Sequence, residues 1–334
     1  MSKEKSKTHW TNWHHKLHKD LLNNKELIPN ESNLLIAVSG GQDSMALLAI
    51  FNDLRALHSW EIDVWHGNHN WHKKSSIYAQ ELKDFCEASQ IHFHLDIANS
   101  IDVSSEDKSR QWRYLKLEQK AKELKLKRKL ENNLSILTAH TSTDNAETFF
   151  LNLARGSSYN GLGGIKKKSF LNNNYSLIRP FLIFNREDTS AICRSLGVPI
   201  WEDPTNSDTT IKRNLIRHEI IPKLETIYPG CTCRINNFIE KMNKFSNEQS
   251  DLSKLALLAC KEKNHINRTM FNRLCEEARS TILNQAIKEN CIKQISSINL
   301  KIICQKISQK KIGSIDLPDG LKLTWTNHLI SFEH

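Results

Sequence analysis

The sequence predicts an α/β protein, with a parallel-sheet N-terminal domain followed by a mainly helical C-terminal region. Three observations carry this. Short apolar runs alternate with amphipathic helical segments from Asn33 to about residue 154. The first run, Leu34-Leu35-Ile36-Ala37-Val38, is apolar throughout, as a strand buried on both faces must be. Beyond Tyr228-Pro229-Gly230 the pattern turns mostly helical and polar up to about residue 312. Strand–helix alternation of the first kind belongs to parallel sheets with helices on both faces.

Each element follows from its own residues. Trp10, Trp13, Leu17 and Leu21 form one helical stripe, which reads as an N-terminal helix docked on the core rather than as a platform for RNA bases. After the first strand, Ser39-Gly40-Gly41 breaks the run. A helix begins near Asp43 or Ser44 and buries Met45, Leu47, Leu48, Ile50, Phe51 and Leu54. The second strand covers Ile62 to Trp65, with a helix from Ser76 to Ala88, and a third strand runs from Ile91 to Ile97. A long basic helix spans Ser109 to Arg128, with Lys120 to Lys129 as a solvated face. A fourth strand covers Leu134 to Ala139, and a further helix opens near Asp144. Four glycines between Gly156 and Gly164 end the alternation. A strand-like stretch from Ser176 to Phe184 follows, then a helix from Glu187 to Leu196, a turn from Trp201 to Asn206 and a helix from Ile211 to Leu224. Short strands around Pro318-Asp319-Gly320 close the chain from Gly313 to His334. The expected divisions are a helical extension over 1–30, a main domain over 31–230 and an accessory region over 231–334.

Composition narrows the function. At 39% hydrophobic and 25% charged the chain is neither disordered nor fibrous. Its longest apolar run, Met45 to Phe51, is far short of the roughly 20 residues of a membrane span. The N-terminus has no apolar signal core, and it carries Glu4 and Asp20 with no arginine before Arg55, unlike a transit peptide. A cytoplasmic protein is expected, or a stromal one if plastid-encoded. Lys and Arg total 47 against 37 Asp and Glu, a net charge of +10 that favours a polyanionic partner, nucleic acid first. The eight cysteines include no CxxC, and the single pair Cys231-Thr232-Cys233 is a weak metal signal.

Ser39-Gly40-Gly41-Gln42-Asp43-Ser44 carries the chemistry. It links a buried strand to a helix N-terminus, where backbone N–H groups, two hydroxyls and the positive helix end converge on one point. That makes a phosphate or pyrophosphate cradle. No GK[ST] follows, so it is not the Walker loop.

SGGxDS resembles the signature of the PP-loop ATP pyrophosphatases, whose fold is the adenine nucleotide alpha hydrolase-like α/β sheet. The later segments resemble the tRNA(Ile)-lysidine synthetases within that group. Asn68-His69 resembles the H-x-[ND]-H segment, Arg110-Gln111-Trp112-Arg113-Tyr114 the RxxRY helix, and Ala139-His140 with Asp144 and Glu147-Thr148 the AHxxxDxxET motif. Arg155-Gly156 with Gly161-Leu162 resembles the glycine loop, and Arg179-Pro180-Phe181-Leu182 the RPLL segment. Trp201 to Asn206, followed by Arg213-Asn214, Ile216-Arg217 and Ile221-Pro222, resembles the W-x-D-P-[ST]-N run and its sequel. The resemblance covers about residues 33–230. The chain departs from it at Thr143, where many members carry a second acid beside Asp144.

The resemblance implies ATP and Mg²⁺ as cofactors, L-lysine and a CAU-anticodon tRNA(Ile) as partners, and ligation of lysine to C2 of the wobble cytidine through an adenylated intermediate. Products would be AMP and pyrophosphate, and the tRNA would then read AUA and accept isoleucine. It implies ATP binding by Ser39, Gly40, Gly41, Gln42, Asp43 and Ser44, with Asp43 on magnesium. The lysine amine, with an ordinary pKa of about 10.4, must lose a proton before it attacks, and Asp144 is the expected acceptor. The plainer reading of Asp144 is a helix N-cap. His69, Arg110, Arg113, His140, Glu147 and Arg213 are expected to contact substrate or phosphate. Residues 231–334 would be the accessory tRNA-binding region. A PP-loop tRNA thiolase and a non-catalytic tRNA-binding protein are the alternatives. The absence of CxxC speaks against the first, and the intact Ser39–Ser44 motif against the second.

Overall fold

The computed structural model describes residues 10–70, 74–130, 134–157, 159–172, 174–201, 209–290, 295–309 and 312–333. The chain divides into two compact units, residues 1–240 and 241–334.

The first unit opens with α1 (Asn12–Asn23), which buries Leu17 and Leu21 in the core and packs Trp13 against it, the docked helix its stripe predicts. Then come β1 (Asn33–Ala37), α2 (Gln42–His58), β2 (Glu61–Asn68), α3 (Ser75–Ala88), β3 (His92–Ile97), α4 (Glu106–Arg128), β4 (Leu134–Leu137) and α5 (Ser142–Ala154). A short α6 (Tyr159–Leu162) leads into β5 (Lys168–Leu171), β6 (Tyr175–Ile178) and α7 (Arg186–Leu196). The strands form one sheet in the order β3-β2-β1-β4-β6-β5, parallel except for β5, which pairs antiparallel with β6.

Alternation along β1 explains its apolar run. Leu34 and Ile36 join the layer that holds α1, α2, α3 and α7, while Leu35 joins the opposite layer with Leu117, Ala121 and Leu124 of α4. Both faces are therefore covered.

Two expectations for this unit need correction. The strand read from Ser176 to Phe184 stops at Ile178, because Pro180 has no N–H for the ladder and starts a single 3₁₀ turn, Pro180–Ile183. The edge strand β5 gave no sequence signal, because it follows a lysine run and only its Leu171 is buried. The turn read from Trp201 to Asn206 lies outside the described residues beyond Trp201. The helix read over Ile211 to Leu224 is three joined pieces, α8 (Lys212–Leu215), a π-helical turn over Ile216–Ile220 and α9 (Ile221–Ile227).

α10 (Cys231–Cys260) leads into the second unit, with β7 (Lys261–Glu262), β8 (His265–Asn267), α11 (Arg268–Arg273), α12 (Glu276–Asn290), α13 (Ser297–Ser308), β9 (Gly313–Asp316), β10 (Lys322–Trp325) and β11 (Leu329–Glu333). Helices dominate, yet the strands form an antiparallel sheet in the order β7-β8-β11-β10-β9. Its separate core includes Phe271, Leu283, Ile287, Ile307, Leu323 and Ile330. No helix among the described residues is long and apolar enough to cross a membrane.

Candidate functional site

The strand order places the site. β1 and β4 are parallel neighbours, paired from Asn33 with Leu134 to Ile36 with Leu137, and the chain goes on from them toward opposite edges of the sheet. Ligands of open α/β sheets bind in the crevice beyond the carboxyl ends of such strands. The Ser39–Ser44 loop follows β1, and the His140–Glu147 segment follows β4.

The loop is held by its own groups and by Trp201. Gly40 takes φ +88°, and its carbonyl accepts from the Trp201 N–H at 3.0 Å. A Cβ on Gly40 would lie 3.0 Å from Cε3 of Trp201, so glycine is required both for the backbone and for the close approach. Ser44 Oγ lies 3.2 Å from Ser39 Oγ and donates to the Gly41 carbonyl at 2.9 Å. α2 therefore starts with Gly41 as its N-cap and Asp43 in its first turn.

Asp43 is mostly buried, and α7 grips it. Thr189 donates its hydroxyl to Asp43 Oδ1 at 2.5 Å, and Arg186 Nη1 lies 3.8 Å from Oδ2. Burial raises the Asp43 pKa above the ordinary carboxylate value, and the nearby Asp144 adds to the rise, partly offset by the Thr189 bond and Arg186.

Asp144 sits in the third position of α5, and the N-cap is Thr141. The expected N-cap aspartate is thus corrected to the acidic arm of a capping box. Thr141 N–H donates to Asp144 Oδ2 at 2.8 Å, and the Thr141 hydroxyl to the same oxygen at 2.9 Å. Oδ1 accepts from Arg213 Nη2 at 2.9 Å and Arg217 Nη2 at 3.2 Å. Burial opposes its charge, but Arg213, the Thr141 amide and Arg217 outweigh that and lower its pKa. Asp144 is ionised at neutral pH.

Glu147, one turn along, is wholly buried. Its carboxylate accepts from Arg213 Nε at 2.7 Å, Arg217 Nε at 2.5 Å and Arg217 Nη2 at 2.9 Å. Burial disfavours the Arg217 charge, and the bonds to Glu147 more than restore it, raising the Arg217 pKa. His140 is pushed down to about 3 by burial and by Arg179, Arg213 and Arg110, against the pull of Asp144. It is a neutral imidazole whose Nδ1 lies 3.0 Å from the Thr138 hydroxyl.

The structure thus brings Asp43, His140, Asp144, Glu147 and Arg213 to one end of β1 and β4. Arg110 lies within electrostatic reach of His140 and Arg179, with its guanidinium 5.1 Å from the Tyr114 ring. Arg113 is half-buried on α4. His69 packs beside Trp112, ring centroids 5.2 Å apart. Gln42 turns its side chain to α7 rather than to the loop, donating to the Arg186 carbonyl at 2.6 Å and to the Thr189 hydroxyl at 2.8 Å.

Sequence reading missed Arg186, Thr189 and Arg217 as site residues. The i, i+4 spacing of Arg213 and Arg217 was a usable signal. No local pattern announces Thr189. Thr143, where a second acid was looked for, accepts from the Arg186 N–H at 3.2 Å and so ties α5 to the start of α7. Among the described residues no cluster of three His, Cys, Asp or Glu side chains could hold a metal, and Cys231 and Cys233 are free thiols.

The chain is similar to known proteins in sequence and in fold. A family profile described as a PP-loop domain matches residues 11–224. The chain is 55% identical over 99% of its length to a tRNA(Ile)-lysidine synthase of Prochlorococcus marinus subsp. pastoris, covering 98% of that protein. It is 36% identical over 97% of its length to one of Parasynechococcus marenigrum, covering 95% of it. It is 30% identical over 92% of its length to a chloroplastic one of Pyropia yezoensis, covering 94% of it. Among solved structures, a U34-tRNA thiolase of Methanococcus maripaludis with its [4Fe-4S] cluster aligns with TM-score 0.54 at 15% identity. The alignment covers 69% of this chain and 76% of that one, a likeness of fold.

Proposed function

The chain belongs to the tRNA(Ile)-lysidine synthases, with a PP-loop domain over residues 11–224, and from that premise we propose how its residues carry out the reaction. It is an ATP-dependent ligase that modifies tRNA. The amine donor in our reading is L-lysine, and the acceptor is C2 of the wobble cytidine in the CAU anticodon of tRNA(Ile). The observation that supports it is the meeting of a phosphate-binding loop with an ionised carboxylate and two arginines at the switch point between β1 and β4.

The cytosine C2 carbonyl is urea-like and poorly electrophilic. Attack of its oxygen on the α-phosphorus of ATP expels pyrophosphate and leaves AMP as the leaving group at C2. The N–H groups and hydroxyls of Ser39 to Ser44, at the positive end of α2, hold the pyrophosphate. Asp43 suits a divalent cation: it is a hard oxygen donor beside this loop, and burial and Asp144 together burden its negative charge. Bound there, Mg²⁺ would neutralise charge on the phosphates. Arg110 lends positive potential near the same end of the sheet, and neutral His140 offers a hydrogen bond without adding charge. In this reading Arg113 and His69 contact RNA or phosphate.

Asp144 draws in the lysine ammonium and accepts the proton lost as the ε-amine attacks C2 and AMP departs. Glu147 sets Arg213 and Arg217, which in turn fix Asp144. In this reading the accessory unit adds tRNA contacts, and the compartment is the cytosol, or the stroma if the chain is plastid-encoded; the Pyropia relative is named as chloroplastic.

The test is incubation of full-length protein with unmodified tRNA(Ile) transcript, ATP, Mg²⁺ and radiolabelled lysine. Lysine should enter the tRNA with AMP and pyrophosphate released in equal amounts. ATP turnover without lysine incorporation would point to thiolation, and no turnover to a binding protein.

A further inference from the structure

Thr189 lies 146 residues from Asp43 in sequence, and its hydroxyl meets the carboxylate at 2.5 Å. The side chain is fully buried, and so is Ile192 one turn along on the same face of α7. The hydroxyl has one proton and two acceptors in reach, Asp43 Oδ1 and the Arg186 carbonyl at 3.0 Å. The Gln42 amide biases the choice. One N–H satisfies the Arg186 carbonyl at 2.6 Å, and the same nitrogen donates to the Thr189 oxygen at 2.8 Å. The carboxylate is the charged and the nearer acceptor, so the Thr189 proton goes to it, and Gln42, occupying one lone pair of the carbonyl and one of the hydroxyl, holds the hydroxyl in that orientation.

Arg186 closes the arrangement from the other side, 3.8 Å from Oδ2. Asp43 is thus held at one oxygen by a hydrogen bond, while the other remains open beside a cation. Gln42 fills the variable position of SGGxDS and lies next to the residue it helps to orient.

We propose that Thr189, with its proton directed by Gln42, is the positioning residue that fixes the Asp43 carboxylate for divalent-cation binding in the nucleotide site. The inference rests on the reading of Asp43 as the metal ligand. Outer hydrogen-bond partners of metal-ligating side chains typically contribute about 10–100-fold to metal affinity or activity. Thr189→Val keeps the shape and removes the proton, whereas Thr189→Ser keeps the proton.

The experiment measures Mn²⁺ binding by electron paramagnetic resonance, using full-length protein with a non-hydrolysable ATP analogue. Thr189→Val should weaken Mn²⁺ binding about 10–100-fold, while Thr189→Ser stays within about threefold of the parent. Gln42→Ala, at a half-buried position, should weaken it in the same direction by releasing the Thr189 hydroxyl to the Arg186 carbonyl. It provides the answer if Thr189→Val does not fold. Equal losses in the Val and Ser variants would assign Thr189 to packing and overturn the inference, as would unchanged affinity in Thr189→Val or Gln42→Ala. Asp43→Ala separates the two layers. If it abolishes Mn²⁺ binding while Thr189→Val does not weaken it, positioning alone is wrong. If Asp43→Ala binds Mn²⁺ normally, the metal reading itself falls.

Discussion

Arg217 closes on Glu147 through two bonds, Nε to Oε1 at 2.5 Å and Nη2 to Oε2 at 2.9 Å, around a carboxylate with no exposed surface. Arg213 takes the same carboxylate from one helical turn earlier. Each arginine reaches on to Asp144, Arg213 with its Nη2 and Arg217 with the same Nη2 that it gives to Glu147. Two acids of α5 and two bases of the 212–220 segment therefore form one buried network, continued across a π-helical turn. Such turns recur at functional sites because they re-aim side chains.

Glu147→Ala should be among the more damaging single changes in the first unit. It leaves two guanidinium groups facing a cavity, and removing one partner of a buried ion pair costs about 3–5 kcal/mol. Glu147→Gln retains the acceptor oxygen and should cost less. Urea unfolding of both variants measures this. A loss below about 1 kcal/mol for the alanine variant would mean that water or Asp144 already satisfies the arginines.

Gly40→Ala tests the loop. The left-handed φ of +88° costs a residue with a Cβ about 1–3 kcal/mol, and the new methyl would press on Trp201. ATP affinity should fall at least about tenfold, since about 1.4 kcal/mol is a factor of ten. A second change, Trp201→Ala, should not restore it, because the backbone strain remains. Full recovery in the double variant would show that the ring alone dictates glycine there.

Away from the site, Asp63 predicts a pH dependence of stability. Burial works against its charge, but His94 at 2.9 Å and Arg128 at 2.8 Å outweigh it and lower its pKa. A carboxylate lowered on folding stabilises the native state above its unfolded pKa of about 3.9. That stability is lost as pH falls through the folded value. Unfolding free energy, measured by urea from pH 7 to pH 3, should drop on the acid side. Asp63→Asn should be less stable at pH 7 and show a shallower acid loss. An unchanged acid limb in that variant would place the dependence elsewhere.

What could be read from sequence was local. Leu34 to Val38 announce a doubly buried strand because every side chain is apolar, and Ser39 to Ser44 announce a phosphate loop because all its donors are contiguous. Asp144 and Glu147 share a helix face by spacing alone. Their partners could not be found that way, since Arg213 and Arg217 approach from 66 to 73 residues away. Thr189 looks like an ordinary helix threonine until α7 is packed against α2. β5 is invisible because its register with β6, not its composition, makes it a strand. Pro180 was in view, but the apolar residues around it masked the turn it imposes.

The sharpest test concerns Asp144 and separates the two chemical steps. Its pKa is lowered, so it is ionised throughout the neutral range, and a fall in activity between pH 8 and pH 6 would not be its titration. Protonation of free lysine, with its pKa of about 10.4, produces such a fall. Asp144→Asn removes the charge that, in the proposed mechanism, draws in the ammonium and accepts its proton, while its amide oxygen can still accept from the Thr141 N–H. The fold should survive, and adenylation should proceed. Lysine incorporation should slow by about 10²–10⁴-fold, the usual contribution of a general base, and adenylated tRNA should accumulate or hydrolyse slowly. Raising the pH should restore part of the rate by supplying unprotonated lysine. Pulse-chase assays with ATP labelled at the α-phosphate, run beside labelled lysine, follow both steps. Loss of adenylation would move Asp144 to the nucleotide, and unchanged incorporation would leave it only its place in the capping box and the arginine network.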